Sequence, residues 1–156
     1  MKKCALLILT VLLASCNGNA QKEKASENNF EIQKTEAEWR AELSEEEFYI
    51  LRQKGTERAF SSELQKVKGP GVFVCAACGN ELYLAQHKFN SGTGWPSFDR
   101  PIENAVVLLE DGFRTEVVCT DCGGHLGHVF NDGPKETTGK RYCMNGDAMN
   151  FVPKNK

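Results

Sequence analysis

The sequence has no excess of positive charge, no apolar run long enough to cross a bilayer, and little proline. Its 19 Lys and Arg face 21 Asp and Glu, for a formal net charge of −2. With no basic run either, nucleic acid, which is held first through its phosphates, is not the expected partner. The longest apolar stretch covers residues 5–14 and is interrupted by Thr10, whereas a spanning helix needs roughly 20 residues to cross ~30 Å of hydrocarbon. A membrane bundle is therefore excluded. Only 5 Pro, with 40% hydrophobic and 26% charged residues, argue against a disordered chain. The length, 156 residues, suits one domain with an extension.

The beginning of the chain reads as a processing signal. Lys2 and Lys3 precede the apolar stretch, and Leu13-Ala14-Ser15-Cys16 follows it, the pattern of a bacterial lipoprotein signal. On that reading residues 1–15 are removed and Cys16 is lipidated. The protein is then exported and lipid-anchored to a bacterial membrane, in the periplasm or cell envelope. An ordinary export signal or a short buried helix is the alternative. Residues 17–29 are rich in Asn, Lys, Glu and Ser, with no apolar residue beyond Ala. The expected organisation is a signal over 1–15, a flexible tether over 16–34 and one folded domain over 35–156.

Two capping boxes, Thr35 with Glu38 and Ser44 with Glu47, predict helix starts. The second opens a short helix that buries Phe48 and Leu51 and stops at Gly55. From Gly69 onward helical spacing gives way to short β-type runs at residues 72–74, 106–109, 113–118 and 128–130. Glu110-Asp111-Gly112 is expected to turn a hairpin between two of them. The predicted fold is mostly β: an antiparallel sheet domain with short N-terminal helices.

Seven cysteines sort by position. Cys4 falls within the signal and Cys16 at its end. Cys75-Ala-Ala-Cys78-Gly and Cys119-Thr-Asp-Cys122-Gly are two knuckles of one form. A two-residue gap lets both sulfurs turn toward one ion, and the glycine frees the backbone to fold around it. Four thiolates complete the closed tetrahedral shell of structural zinc, with no position left for water. Two disulfides within or between the knuckles are the alternative in an oxidising compartment. Cys143 stands alone.

Three more stretches are dense in reactive or aromatic residues: Ser91-Gly-Thr-Gly-Trp-Pro-Ser-Phe98, His125-Leu-Gly-His-Val-Phe130 with Asn131-Asp-Gly-Pro134, and Arg141-Tyr-Cys-Met-Asn145. If the last is a strand, its period of two puts Arg141, Cys143 and Asn145 on one face. A guanidinium beside the sulfur then favours thiolate. Imidazole as a side-chain type titrates near neutrality, so His125 and His128 suit proton transfer, both reaching one cleft if the strand kinks at Gly127. Trp95 and Phe98 suit an apolar wall, with a core role as the alternative for Phe98. Asn145 is expected to position a substrate and Asp132 to orient a histidine. His87, among Gln86, Lys88 and Asn90, is expected to be exposed and uninvolved.

Together with the knuckles, and in this order, these motifs resemble the methionine-R-sulfoxide reductase family over residues 43–153. The resemblance implies a β-tent fold with structural zinc and the reduction of methionine-R-sulfoxide, in proteins, in peptides or free. It further implies attack of Cys143 on the sulfoxide sulfur, leaving a sulfenic acid. His128 is then the nearer acid, His125 supports it, and Trp95 and Phe98 lie beside the methyl group. Thr93 stands where many relatives carry a second cysteine. No internal partner is then left for Cys143, and an external thioredoxin-like thiol is expected to recycle a monomeric enzyme. A zinc-stabilised binding module of the same architecture is the alternative, and a disulfide oxidoreductase a third reading. Cys143, His128 and the Trp95 loop separate them, because a binding module needs no activated thiol.

Overall fold

The Thr35 side chain accepts the Glu38 amide hydrogen while the Glu38 carboxylate accepts that of Thr35, and Ser44 and Glu47 repeat the exchange. Each N-cap is worth roughly 0.5–2 kcal/mol. In this computed structural model, which describes residues 30–154, the two caps open helices α1 (Glu36–Glu42) and α2 (Glu45–Gln53). The expected signal, Cys4, Cys16 and the tether up to residue 29 lie outside the described residues. α1 buries Trp39, whose ring lies under the Lys34 and Arg52 cations at 4.7 and 4.9 Å. α2 turns Phe48, Ile50 and Leu51 inward. The helix ends one residue before the expected stop, because Lys54 itself takes the left-handed conformation at φ 56. Gly55 lets the half-exposed Tyr49 ring lie close to the backbone: a Cβ there would lie 2.3 Å from the ring, which would have to move.

The remaining chain forms antiparallel strands, as the sequence predicts: β1 (Gly71–Cys75), β2 (Glu81–Leu84), β3 (Lys88–Phe89), β4 (Ser97–Phe98), β5 (Val106–Asp111), β6 (Arg114–Cys119), β7 (His125–Phe130), β8 (Arg141–Met144) and β9 (Met149–Pro153). They make a three-stranded sheet, β2-β1-β9, and a six-stranded sheet, β3-β4-β8-β7-β6-β5. The β5–β6 hairpin closes at Asp111 opposite Arg114. Phe113, expected on a strand, instead sits in the turn beside Gly112 (φ 59) and is fully exposed.

Aromatic packing fills the core. Tyr83 stacks on Phe98 at 4.3 Å, Phe73 meets Phe98 edge-on at 4.9 Å, and the Tyr83 hydroxyl donates to Met144 Sδ at 3.1 Å. Such ring pairs add roughly 0.5–1.5 kcal/mol beyond their buried area. Phe98, expected beside the substrate, is 0% exposed and belongs to this cluster. It follows Ser97 by one residue, and the pleat turns the two side chains to opposite faces.

Candidate active site

Cys75 is the last residue of β1 and Cys119 the last of β6, so the two knuckles join the two sheets. Both knuckles fold alike: Gly79 donates its amide to Cys75 O at 2.8 Å, and Gly123 donates to Cys119 O at 2.9 Å, with φ of 80° and 67°. The four thiols all lie within 4.8 Å of one another. Cys75 Sγ is 3.8 Å from Cys122 Sγ, and Cys78 Sγ is 3.6 Å from Cys119 Sγ. These separations exceed the ~2.05 Å of a disulfide bond. They match the about 3.8 Å between sulfurs of a tetrahedron with ~2.3 Å metal–sulfur bonds. Hydrogen bonds from its three neighbours drive the Cys119 thiol far below its ordinary value, while those to Cys119 and Cys122 drive Cys75 far above. Thiols this close do not all ionise without a cation, and the donor set fits a metal held by all four.

A second arrangement is built from strand register. Cys143 on β8 lies opposite Ser97 of β4 on one side and His128 of β7 on the other, and His128 lies opposite Glu116 of β6. Opposed residues on antiparallel strands share a face, with Cβ atoms about 4.5–5.5 Å apart. Four strands therefore set Ser97, Cys143, His128 and Glu116 in one row. An unbroken pleat would turn His125, three residues before His128, to the other face. The β6–β7 pairing instead shifts between Val117 and Val118, so that Val117 faces Gly127 and Val118 faces His125. Leu126 is the extra residue of this bulge and brings His125 back beside His128. The two rings meet near edge-on, with centroids 5.4 Å apart. Gly127 is obligatory here, since a Cβ would lie 2.2 Å from the Cys143 carbonyl oxygen.

A cleft of about 190 Å³ opens on this row, with Cys143, His128, Trp95, Phe130, Gly127 and Asn145 among the residues that line it. That is smaller than the roughly 300–1,000 Å³ typical of drug-sized ligands and suits a single side chain. Burial pushes the Cys143 thiol above its ordinary value; Thr93, Arg141 and Ser97 oppose this without overcoming it. The expectation of a resting thiolate is corrected accordingly. Thr93 Oγ1 lies 3.9 Å from Cys143 Sγ and shares hydrogen bonds of 2.8 and 2.7 Å with Ser91 and, through it, Ser97. Arg141 reaches the sulfur while its Nε and Nη2 donate to Asp132 at 2.9 and 3.0 Å. Its guanidinium also lies 4.4 Å over the Phe130 ring.

Asp132 thus orients the arginine and not, as expected, a histidine. The histidine partners are two carboxylates outside the recognised motifs. His125 Nδ1 is 2.7 Å from Glu116 Oε1, and His128 Nε2 is 2.8 Å from Asp111 Oδ2. Burial lowers the His125 value, with Glu116 opposing. The hydrogen bond from His128 holds Asp111 below the usual carboxylate range.

Asn145, one residue beyond β8, is buried and has both ends of its amide engaged: Oδ1 accepts the Glu57 amide at 3.1 Å and Nδ2 donates to Leu126 O at 3.2 Å. Trp95 Nε1 donates to Glu57 O at 3.1 Å. Glu57, also unforeseen, therefore ties the indole to Asn145 through its backbone. His87 is half-buried, not exposed, and its Nδ1 has no hydrogen-bond partner among the described residues. The one signal for Glu116 in the sequence was a lone acid directly before the apolar run Val117-Val118-Cys119 of β6.

The SelR domain family model matches residues 43–153. A protein of Leptospira interrogans named peptide methionine sulfoxide reductase MsrB is 48% identical over 128 residues, 79% of this chain and 97% of the relative. Its namesake in Methanosarcina barkeri is 52% identical over 125 residues, 77% of this chain and 87% of the relative. A third, from Leifsonia xyli, is 47% identical over 137 residues, 85% and 99% of the two chains. The chain belongs to the MsrB family of peptide methionine-R-sulfoxide reductases.

Proposed function

We propose that Cys143 is the nucleophile of this methionine-R-sulfoxide reductase. One observation carries the reading: of the described cysteines, Cys143 alone stands apart from the knuckle cluster and lines the cleft shared with Trp95 and His128. The Cys143 thiol gives up its proton as its sulfur attacks the sulfoxide sulfur. The sulfoxide oxygen passes to Cys143 and takes up a proton, methionine leaves, and a cysteine sulfenic acid remains. His128 supplies that proton, with His125 in support. Trp95 offers the apolar face for the methyl group, and Arg141 stabilises negative charge on the sulfur.

An external thioredoxin-like dithiol then attacks the sulfenic acid. Water leaves, a mixed disulfide forms, and the second donor thiol resolves it to regenerate Cys143. This reading is supported by Thr93, whose hydroxyl and not a second thiol lies 3.9 Å from the Cys143 sulfur among the described residues. The knuckle ion is zinc in a structural role, supported by the four-thiolate donor set. The protein works as an exported monomer held to a bacterial membrane by lipid on Cys16, a reading supported by the Leu13-Ala14-Ser15-Cys16 sequence.

The test uses protein beginning after Cys16, given each sulfoxide epimer in turn. It should reduce the R epimer and leave the S epimer, and one equivalent of R sulfoxide without a donor should leave Cys143 trappable by dimedone. Dimedone labelling at a knuckle cysteine instead would overturn the assignment. For the anchor, a fatty-acid probe should label the wild type and not Cys16→Ala; an unlabelled, freely soluble wild type contradicts it.

A further inference from the structure

Two residues outside every recognised motif converge on His125. Lys54 closes α2 at φ 56, a conformation glycine takes freely and lysine takes only when held there. From that position its Nζ reaches Glu116 Oε2 at 2.7 Å. The other carboxylate oxygen, Oε1, lies 2.7 Å from His125 Nδ1. Glu116 is 2% exposed, so its charge has left water, and Lys54 supplies the compensating cation. His125 is equally buried, and its Nε2 has no hydrogen-bond partner among the described residues.

An ionised carboxylate only accepts hydrogen bonds, so the Glu116 contact requires the proton on Nδ1 whether the ring is neutral or charged. In the neutral ring Nε2 then carries the lone pair. His128 has the opposite arrangement, since its Nε2 donates to Asp111. The neighbouring imidazoles are thus held in different tautomers by two different carboxylates.

We propose that Glu116, paired with Lys54, is a positioning residue for sulfoxide reduction: it fixes the His125 tautomer and leaves Nε2 as the nitrogen that exchanges a proton. This rests on the place given above to His125 in the reductase site. The tautomer is read without substrate, so a failure here is distinguishable from a failure of that catalytic reading.

The experiment uses zinc-loaded protein labelled with ¹⁵N-histidine. Long-range ¹H–¹⁵N spectra of the wild type should show neutral His125 protonated at Nδ1. Glu116→Gln offers an amide that can donate as well as accept, and should mix or reverse the tautomer. In that variant kcat for the R sulfoxide should fall at least about tenfold, with KM within about twofold, as expected for a group acting on proton transfer. Lys54→Met should move both readouts in the same direction by less, about threefold in kcat. A purely structural ion pair would lower Tm and leave the tautomer alone. Wild-type His125 protonated at Nε2 overturns the proposal, and this requires no variant to fold. An unchanged tautomer and kcat in Lys54→Met, or in a folded Glu116→Gln, overturns it equally.

Discussion

At the ends of β1 and β6 four thiols have chiefly one another for company, whereas on β8 a single thiol faces two hydroxyls and a guanidinium. In the first place hydrogen bonds between the sulfurs are the main perturbation on each thiol, and a cation is what lets all four ionise together. In the second, burial raises the thiol while Thr93, Arg141 and Ser97 pull it back. The same side chain is placed for a metal where its neighbours are sulfur, and for the proposed attack where they can stabilise a charge that has yet to form.

Paired serine substitutions break this comparison most sharply. Cys119→Ser should release the metal and lower Tm by more than about 10 °C, because metal binding is part of the folding free energy. Cys143→Ser should keep the metal and Tm while kcat/KM falls below about a thousandth of wild type. Metal analysis, a thermal melt and turnover of the R sulfoxide decide. A Cys119→Ser protein with full metal and unchanged Tm would erase the distinction.

Next in size is Gly127→Ala. The added methyl would overlap the Cys143 carbonyl oxygen at 2.2 Å, so β7 and β8 must part at the proposed nucleophile. Overpacking of this kind costs about 1–3 kcal/mol. Denaturant melts should show that loss together with a fall in activity of at least about tenfold. Unchanged turnover would mean that the row Ser97, Cys143, His128 tolerates displacement.

What could be read from the sequence divides along the same line. Both capping boxes were legible because each is a contact across three residues, and the knuckles because ligand spacing is local. The face shared by Arg141 and Cys143 followed from the strand period alone. Glu116 and Asp111 were not legible as histidine partners. Their positions depend on the register of β5, β6 and β7 and on a bulge that no local spacing specifies. Phe98 was left between cleft wall and core for a related reason: the loop motif points to the cleft, but the pleat turns its last residue into the core against Tyr83. The Cys143 thiol was expected to ionise because charge was visible in the sequence and burial was not.

Burial raises the thiol, so in substrate-free enzyme thiolate should form above the ordinary value of 9.0. Alkylation of Cys143 by iodoacetamide should be slow at pH 7 and still be rising as pH passes that value. Thr93→Ala and Ser97→Ala each remove an opposing contact and should move the midpoint further up. A midpoint well below the ordinary value would show that Arg141 outweighs burial, and would make Cys143 a standing thiolate.

The smallest effect is expected at the wall of the cleft. Trp95 does two separate things there: its ring lines the space beside Cys143, and its Nε1 donates to Glu57 O at 3.1 Å. The Glu57 amide in turn donates to Asn145 Oδ1, so the indole hydrogen bond belongs to the same short network that holds the end of β8. Trp95→Phe keeps an aromatic face and removes that donor, leaving a part-buried carbonyl to find water. The loss should be about 1 kcal/mol of stability. The mobile ring should raise KM severalfold, with kcat changed less, because His125 and His128 on β7, the proposed proton-transfer groups, are untouched. Trp95→Ala removes the face as well and should lower kcat/KM by a further factor of about ten. If the two variants lose activity equally, the hydrogen bond and not the aromatic surface is what Trp95 contributes, and the methyl group must be recognised elsewhere in the cleft.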